Sequence, residues 1–208
     1  MKYLSTKKGF INPISLLILM SIAMPVAFNA WSAMLNNFVV EKAAFTGVEI
    51  GILQSLREVP GFLSFTLIFV LLIIKEQTFA VFALALLGLG VCMTGFFPTV
   101  YGLYFTTILM STGFHYFEAV KQSLSLQWLS KDEAPMVLGR LLAVGSLTSL
   151  IVYGCLWALL EVFQLPYLVN FVIAGGICIL LAFVMYIGFP SFPSKVEQNQ
   201  NLVLRKRY

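Results

Sequence analysis

Residues 77–114, QTFAVFALALLGLGVCMTGFFPTVYGLYFTTILMSTGF, contain no charged side chain. A helix needs about 20 apolar residues to cross the hydrocarbon core of a bilayer, so this stretch is too long for one crossing. The sequence Gly95-Phe96-Phe97-Pro98 divides it, because glycine and proline interrupt helices. The stretch therefore predicts two consecutive transmembrane helices, at about 78–97 and about 99–128.

The rest of the chain alternates in the same way between long apolar segments and short polar turns, such as the turn predicted at residues 36–42. The other predicted helices lie at about 11–35, 47–74, 137–160 and 166–187. We therefore expect an all-α fold, an integral membrane bundle of six transmembrane helices over residues 11–188. Residues 1–10 are a predicted N-terminal segment, and residues 189–208 a predicted tail.

The composition is typical of a membrane protein rather than of a soluble domain. Of the 208 residues, 60% are hydrophobic and 11% are charged, whereas soluble domains are about 25% charged. The net charge of +4 does not indicate nucleic-acid binding, because the positive residues stand mainly at the chain ends and in short loops. The three cysteines lie in apolar segments without metal-ligand spacing, so we expect no disulfide framework, metal site or cofactor.

Lysine and arginine residues are distributed unequally between the two sides of the predicted bundle. Arg57 and Lys121 fall inside predicted helices, and Lys42 is alone on one side. The other side holds Lys2, Lys7, Lys8, Lys75, Lys131, Arg140, Lys195, Arg205, Lys206 and Arg207. Because positive residues collect in cytoplasmic loops, we expect both termini in the cytoplasm and a multi-pass protein of the plasma (bacterial inner) membrane.

Polar side chains inside the second helix are unexpected in lipid. Gln54, Arg57 and Glu58 follow i, i+3, i+4 spacing, which places them on one helix face. Charged groups at bilayer depth usually face a bundle interior or a watery cavity. Nearby Gly47, Gly51 and Gly61 indicate close approach of a neighbouring helix.

The fourth helix carries a second polar stripe. His115, Glu118 and Gln122 follow i, i+3, i+7 spacing, and Lys121 lies within pairing reach of Glu118. A carboxylate beside a lysine and a histidine can hold or pass a proton. The two stripes are interpreted either as the walls of a polar pathway or as ion pairs that lock helices together.

The passage from the fourth to the fifth helix resembles that of the major facilitator superfamily. Residues 117–121 (FEAVK), 129–133 (LSKDE) and 138–140 (LGR), with Gly145-Ser146, give an acidic and basic turn followed by a glycine-containing helix. The pattern covers roughly 30 residues. The six-helix topology with both ends inside is similar to the amino-terminal half of such a transporter over essentially the whole chain.

The resemblance implies two three-helix units of inverted topology. Residues 18–21 and 108–111 share the tetrapeptide ILMS in helices one and four, which such a repeat would equate. Helices one, two, four and five would face the central cavity, with three and six peripheral.

The turn 75–77 lacks the family's motif between its second and third helices, so that motif's gating contacts cannot be transferred. The fifth helix has only part of the family's antiporter motif, because it contains Gly145 and Gly154 but not the expected Gly-Pro pair.

By resemblance, we expect a secondary transporter that moves a small-molecule substrate across the lipid bilayer by alternating access, with proton coupling left open. Glu118, Lys121 and His115 would contact substrate or coupling ion. The cavity would also be lined by Gln122, Gln54, Arg57 and Glu58. A second six-helix half, on the same chain beyond residues 205–208 or on a separate one, would complete it.

The alternative is a non-transporting scaffold or partner subunit. Enzyme motifs are absent from the sequence, and we do not expect an enzyme.

Overall fold

The computed structural model describes residues 11–193, which form helices joined by short turns. The helices are α1 (Pro13–Ala43), α2 (Gly47–Phe62), α3 (Leu67–Leu71), α4 (Glu76–Thr94), α5 (Val100–Trp128), α6 (Ala134–Trp157) and α7 (Tyr167–Gly188). A 3₁₀ turn, Leu63–Thr66, joins α2 to α3, and a π-helical turn, Ala158–Val162, extends α6. The all-α prediction is confirmed. The predicted N-terminal segment 1–10 and residues 194–208 of the predicted tail lie outside the described range.

Four of the helical segments are long and apolar enough to cross a membrane. They are Pro13–Ala43, Glu76–Thr94, Ala134–Val162 and Tyr167–Gly188. The second predicted helix divides into α2, the 3₁₀ turn and α3, so its longest continuous part has 16 residues. The fourth, α5, has 29 residues but lower hydropathy because it carries the polar stripe. The chain is therefore compatible with a membrane protein.

The first helix is longer than predicted. The polar residues 36–42 were expected to form a turn, but α1 continues through them to Ala43. Phe38 is buried within it and contacts the rings of Tyr167 and Phe171 on α7. The turn begins instead at Ala44, whose left-handed φ of 52° ends the helix with a bond from its N–H to the Val39 carbonyl. Packing on α7 thus extends a helix whose polar residues tolerate helical conformation.

The helices pack in an order that differs from their order in the chain. α4 packs most extensively, against α5 on one side and α7 on the other. α1 packs against α6 and α7, and α2 packs mainly against α5. Smaller contacts of α1 with α4 and α5 close the centre, where Met20, Leu87 and Phe117 are fully buried. The resulting core lies among α1, α4, α5 and α7.

Two glycines bring α4 and α7 into close contact. A Cβ on Gly88 would lie 2.7 Å from the carbonyl oxygen of Gly175, and a Cβ on Gly175 would meet Gly88 and Cys92 in the same way. Small residues at such positions allow helix backbones to approach in a membrane, where packing rather than water exclusion drives association. This contact fixes the two helices that the resemblance makes peripheral.

The first turn of α4 holds the segment that follows α7. The Gln77 side chain accepts a hydrogen bond from the Phe192 N–H at 2.9 Å and donates one to the Pro190 carbonyl at 2.9 Å. The Phe192 ring packs edge-on against Trp128, with centroids 5.7 Å apart. Residues 189–193 are thereby held against the ends of α4 and α5.

We expect Gln77→Ala to release this segment. Loss of the acceptor leaves the Phe192 N–H without its side-chain partner, and a net hydrogen bond is worth about 1 kcal/mol. Amide hydrogen exchange at Phe192 should therefore become several-fold faster. Gln164→Ala, in the turn before α7, is the matched control and should leave this rate unchanged. An unchanged rate in Gln77→Ala would contradict the anchoring.

Candidate functional site

A cavity of about 410 Å³ lies between α1, α5 and α6. Its lining combines apolar side chains, among them Met24, Phe28 and Leu141, with polar groups from all three helices. A volume at the lower end of the range of about 300–1,000 Å³ for ligand pockets suits a small solute. This cavity is therefore the candidate binding site.

The α5 wall contributes two charges. Glu118 Oε1 and Lys121 Nζ lie 3.5 Å apart, with the glutamate side chain 41% exposed and the lysine 17% exposed. Lys121 Nζ also lies 5.8 Å from the centre of the Phe117 ring. One helical turn further on, Ser125 Oγ donates to the Lys121 carbonyl at 2.8 Å. The i, i+3 spacing therefore produces the pairing that the sequence predicts.

The opposite wall is built from α1 and α6. Asn29 Nδ2 donates to Ser149 Oγ at 2.6 Å, and Ser149 Oγ donates to the Gly145 carbonyl at 2.8 Å. This chain of hydrogen bonds joins α1 to α6 beside the cavity. A Cβ on Gly145 would lie 3.6 Å from the Ser21 carbonyl oxygen, so the two helices approach closely here.

Pro25 removes one backbone hydrogen bond from α1 at the same wall. Proline has no N–H, so the Ser21 carbonyl receives no helical hydrogen bond from residue 25. The Ser21 hydroxyl is 97% buried and finds no hydrogen-bond partner within residues 11–193. Both Ser21 and Pro25 line the cavity. Ser21 thus places an unsatisfied hydroxyl and a weakened helix position next to it.

A second polar cluster joins α2 to α5 outside the cavity. Arg57 Nη2 contacts Glu58 Oε1 at 2.8 Å, and His115 Nε2 lies 3.7 Å from Glu58 Oε2. Ser111 Oγ donates to the Arg57 carbonyl across the two helices. A Cβ on Gly61 would lie 2.8 Å from the His115 ring, so Gly61 makes room for it.

The structure divides the predicted site residues between these two places. Glu118, Lys121 and Gln122 line the cavity, whereas Arg57 and Glu58 lie in the second cluster. His115 belongs to that cluster rather than to the cavity, because its ring contacts Glu58 on α2. Gln54 is in neither group, and its buried Oε1 has no hydrogen-bond partner in the described part of the chain.

The predicted glycine contacts are also divided. Gly61 faces His115 as expected of close approach, but an added Cβ on Gly47 or Gly51 would have no described atom within 4 Å. The prediction of close packing is therefore confirmed at Gly61 and wrong at the other two positions within residues 11–193.

Four serines of the cavity are not among the predicted site residues. Ser125 follows Lys121 by four positions, which is a signal that the sequence offers for the same face. Ser21, Ser146 and Ser149 carry no comparable signal, because isolated serines are common at contacts between membrane helices. Only the packing of α6 against α1 brings them beside Glu118.

Aromatic rings link the cavity to the second cluster. Phe28, which lines the cavity, stacks on Phe114 with centroids 4.1 Å apart. Phe114 in turn contacts the His115 ring edge-on at 5.0 Å. The two ionic groups are thus joined by packed rings rather than by hydrogen bonds in the described structure.

Within residues 11–193, no three His, Cys, Asp or Glu side chains come together as a metal site requires. The chain was compared with protein-family models, curated proteins and solved structures, and no match was found.

Proposed function

We propose that this protein is a secondary transporter of the major facilitator type, in which the cavity between α1, α5 and α6 forms one half of the solute pathway. The observation that carries the proposal is an ion pair facing a cavity in the middle of a long helix. Glu118 lies roughly 15 Å from the C-terminal end of α5, counted at 1.5 Å per residue. That is about half of a hydrocarbon core.

The packing order supports the resemblance. The contact of α1 with α6 has a counterpart in that of α5 with α2, and α1 with α7 has one in α5 with α4. These correspondences are expected when helices one to three and four to six are repeats. The repeated tetrapeptide agrees, because Met20, Met110 and Ser111 are fully buried and Ser21 is nearly so.

The distribution of polar groups supports it as well. The cavity is lined by helices one, four and five, and neither α4 nor α7 contributes to the lining. In this proposal α2 with α3, and α5, are the two further membrane crossings, which makes six. Both termini lie in the cytoplasm and the bilayer is the plasma membrane.

The exposed side of α2 supports a partner. The Glu58 side chain is 60% exposed in the second cluster, and a charge that faces hydrocarbon is costly. We propose that this side faces water or a second six-helix half, carried by the same chain or by another. Arg57, Glu58 and His115 then line the pathway between the halves, apart from the cavity ion pair.

The alternative is a non-transporting scaffold whose ion pairs lock helices together. The observation that favours it is the contact between α2 and α5, where His115 Nε2 lies 3.7 Å from Glu58 Oε2 and Ser111 Oγ donates to the Arg57 carbonyl. Such a protein has one arrangement of helices, whereas a transporter exposes its cavity to each side of the membrane in turn.

A cysteine at position 146 separates the two functions. With the three native cysteines replaced by alanine, we expect Ser146→Cys to react with a membrane-impermeant maleimide in both inside-out and right-side-out vesicles. Leu180 on α7, the helix that the resemblance places at the periphery, is 59% exposed and does not line the cavity. In this proposal it faces lipid, where a thiol is not ionised, so Leu180→Cys is the control and should resist the reagent from both sides. Reaction of Ser146→Cys from a single side would contradict alternating access.

A further inference from the structure

The charges of the cavity balance. Among residues 11–193, Glu118 and Lys121 are the two charged side chains that line it, and they are paired. A solute with a net charge would add an uncompensated charge at bilayer depth, which is unfavourable. A solute that is neutral overall, yet able to meet both an acid and a base, avoids that cost.

The pair also has hydrogen-bonding capacity left. Its separation of 3.5 Å is longer than the 2.7–2.9 Å of a strong charged hydrogen bond. Glu118 Oε1 is buried and accepts no hydrogen bond from any described residue. Lysine has three donors. Each partner can therefore exchange the other for an opposite charge on a solute.

The remaining walls fit a solute with an apolar part. Met24, Phe28 and Leu141 are apolar neighbours of the charged pair in this cavity. Ser21 is 97% buried, and its hydroxyl has no partner among residues 11–193, so it needs a polar group that these residues do not supply. A small polar group on the solute, or a water bound with it, would satisfy this hydroxyl.

We propose that the cavity binds a small zwitterion, of the class of a neutral α-amino acid, with its carboxylate on Lys121 and its ammonium group on Glu118. The apolar side chain of the solute packs on Met24 and Phe28. That this solute is transported rests on the proposed function. That it binds does not, because binding can be measured without transport. Phosphorylated solutes fit poorly, since a single lysine beside a carboxylate offers too little positive charge.

Thermal unfolding of the purified full chain tests the proposal. Each neutral α-amino acid is added singly in millimolar excess, and at least one should raise the Tm by about 5 °C or more. For the strongest binder, two analogues are compared: the amine that lacks the carboxylate and the acid that lacks the ammonium group. For leucine these are 3-methylbutylamine and 4-methylpentanoate. Neither should raise the Tm comparably.

Variants locate the binding. Glu118→Gln and Lys121→Gln should each weaken the Kd at least tenfold, whereas Glu161→Gln, outside the cavity, should leave it unchanged. If a cavity variant fails to fold, the analogue series on the unaltered chain still decides. The proposal is overturned if no neutral amino acid raises the Tm, if a single-charge analogue binds equally well, or if glucose or maltose alone stabilises the protein.

The failures of the two proposals are distinguishable. Reaction of Ser146→Cys from both sides without amino-acid binding would remove the zwitterion and keep the transporter. Amino-acid binding with reaction from one side would keep the zwitterion site and remove transport.

Discussion

Gly175→Ala is expected to destabilise the bundle strongly, because the added methyl group has no room between α7 and α4. The added Cβ would meet the carbonyl oxygen of Gly88 and the backbone nitrogen of Cys92 on α4, and these backbone atoms cannot move aside as the end of a flexible side chain can. Overpacking of this kind costs about 1–3 kcal/mol. For a chain of this length we expect the Tm of the purified protein to fall by several degrees, and by about 10 °C at most.

The neighbouring glycine provides the matched control. An added Cβ on Gly176 would meet no described atom within 4 Å, and alanine is a better helix former than glycine by about 1 kcal/mol. Gly176→Ala should therefore leave the Tm unchanged or raise it. Equal effects of the two substitutions would mean that α4 and α7 do not pack through Gly88 and Gly175.

The second large effect is expected for Glu118→Gln. The change removes the carboxylate from the cavity ion pair but keeps the size of the side chain. We expect uptake of the amino acid identified by binding to fall at least tenfold in proteoliposomes, with the amount of protein in the membrane unchanged. Glu161→Gln should transport normally.

A double variant separates a functional ion pair from a structural one. In Glu118→Gln with Lys121→Gln, no unpaired charge is left in the bilayer, so a purely structural defect should be relieved. If the pair contacts solute, uptake stays lost although the Tm recovers. Recovery of both uptake and Tm in the double variant would assign the pair to structure alone.

The predicted helices agree with the observed ones to within a few residues, except at the end of α1 and in the second predicted helix, which is divided into α2, a 3₁₀ turn and α3. Hydropathy and turn residues predict the segments well, because a helix satisfies its own backbone hydrogen bonds whatever it packs against. The end of α1 was wrong because contacts of Phe38 with Tyr167 and Phe171, far away in the chain, keep polar residues helical.

The α5 wall of the candidate site could be predicted in the same way. The spacing of Glu118, Lys121 and Gln122 places them on one face of α5, and the cavity lies there. The spacing of His115 was compatible with that face as well. Its contact with Glu58 depends on the packing of α2 against α5, which no local pattern encodes.

The sequence alone therefore determined that residues 77–114 form two helices, α4 and α5. It also determined that α5 carries charged side chains beyond residue 114. The tertiary structure decided that these two helices are neighbours, that α4 also holds α7 through Gly88 and Gly175, and that Ser21 and Ser149 join Glu118 around one cavity. The physical reason is that lipid and protein interior are both apolar. Hydrophobicity thus identifies a membrane helix but not the face by which it packs.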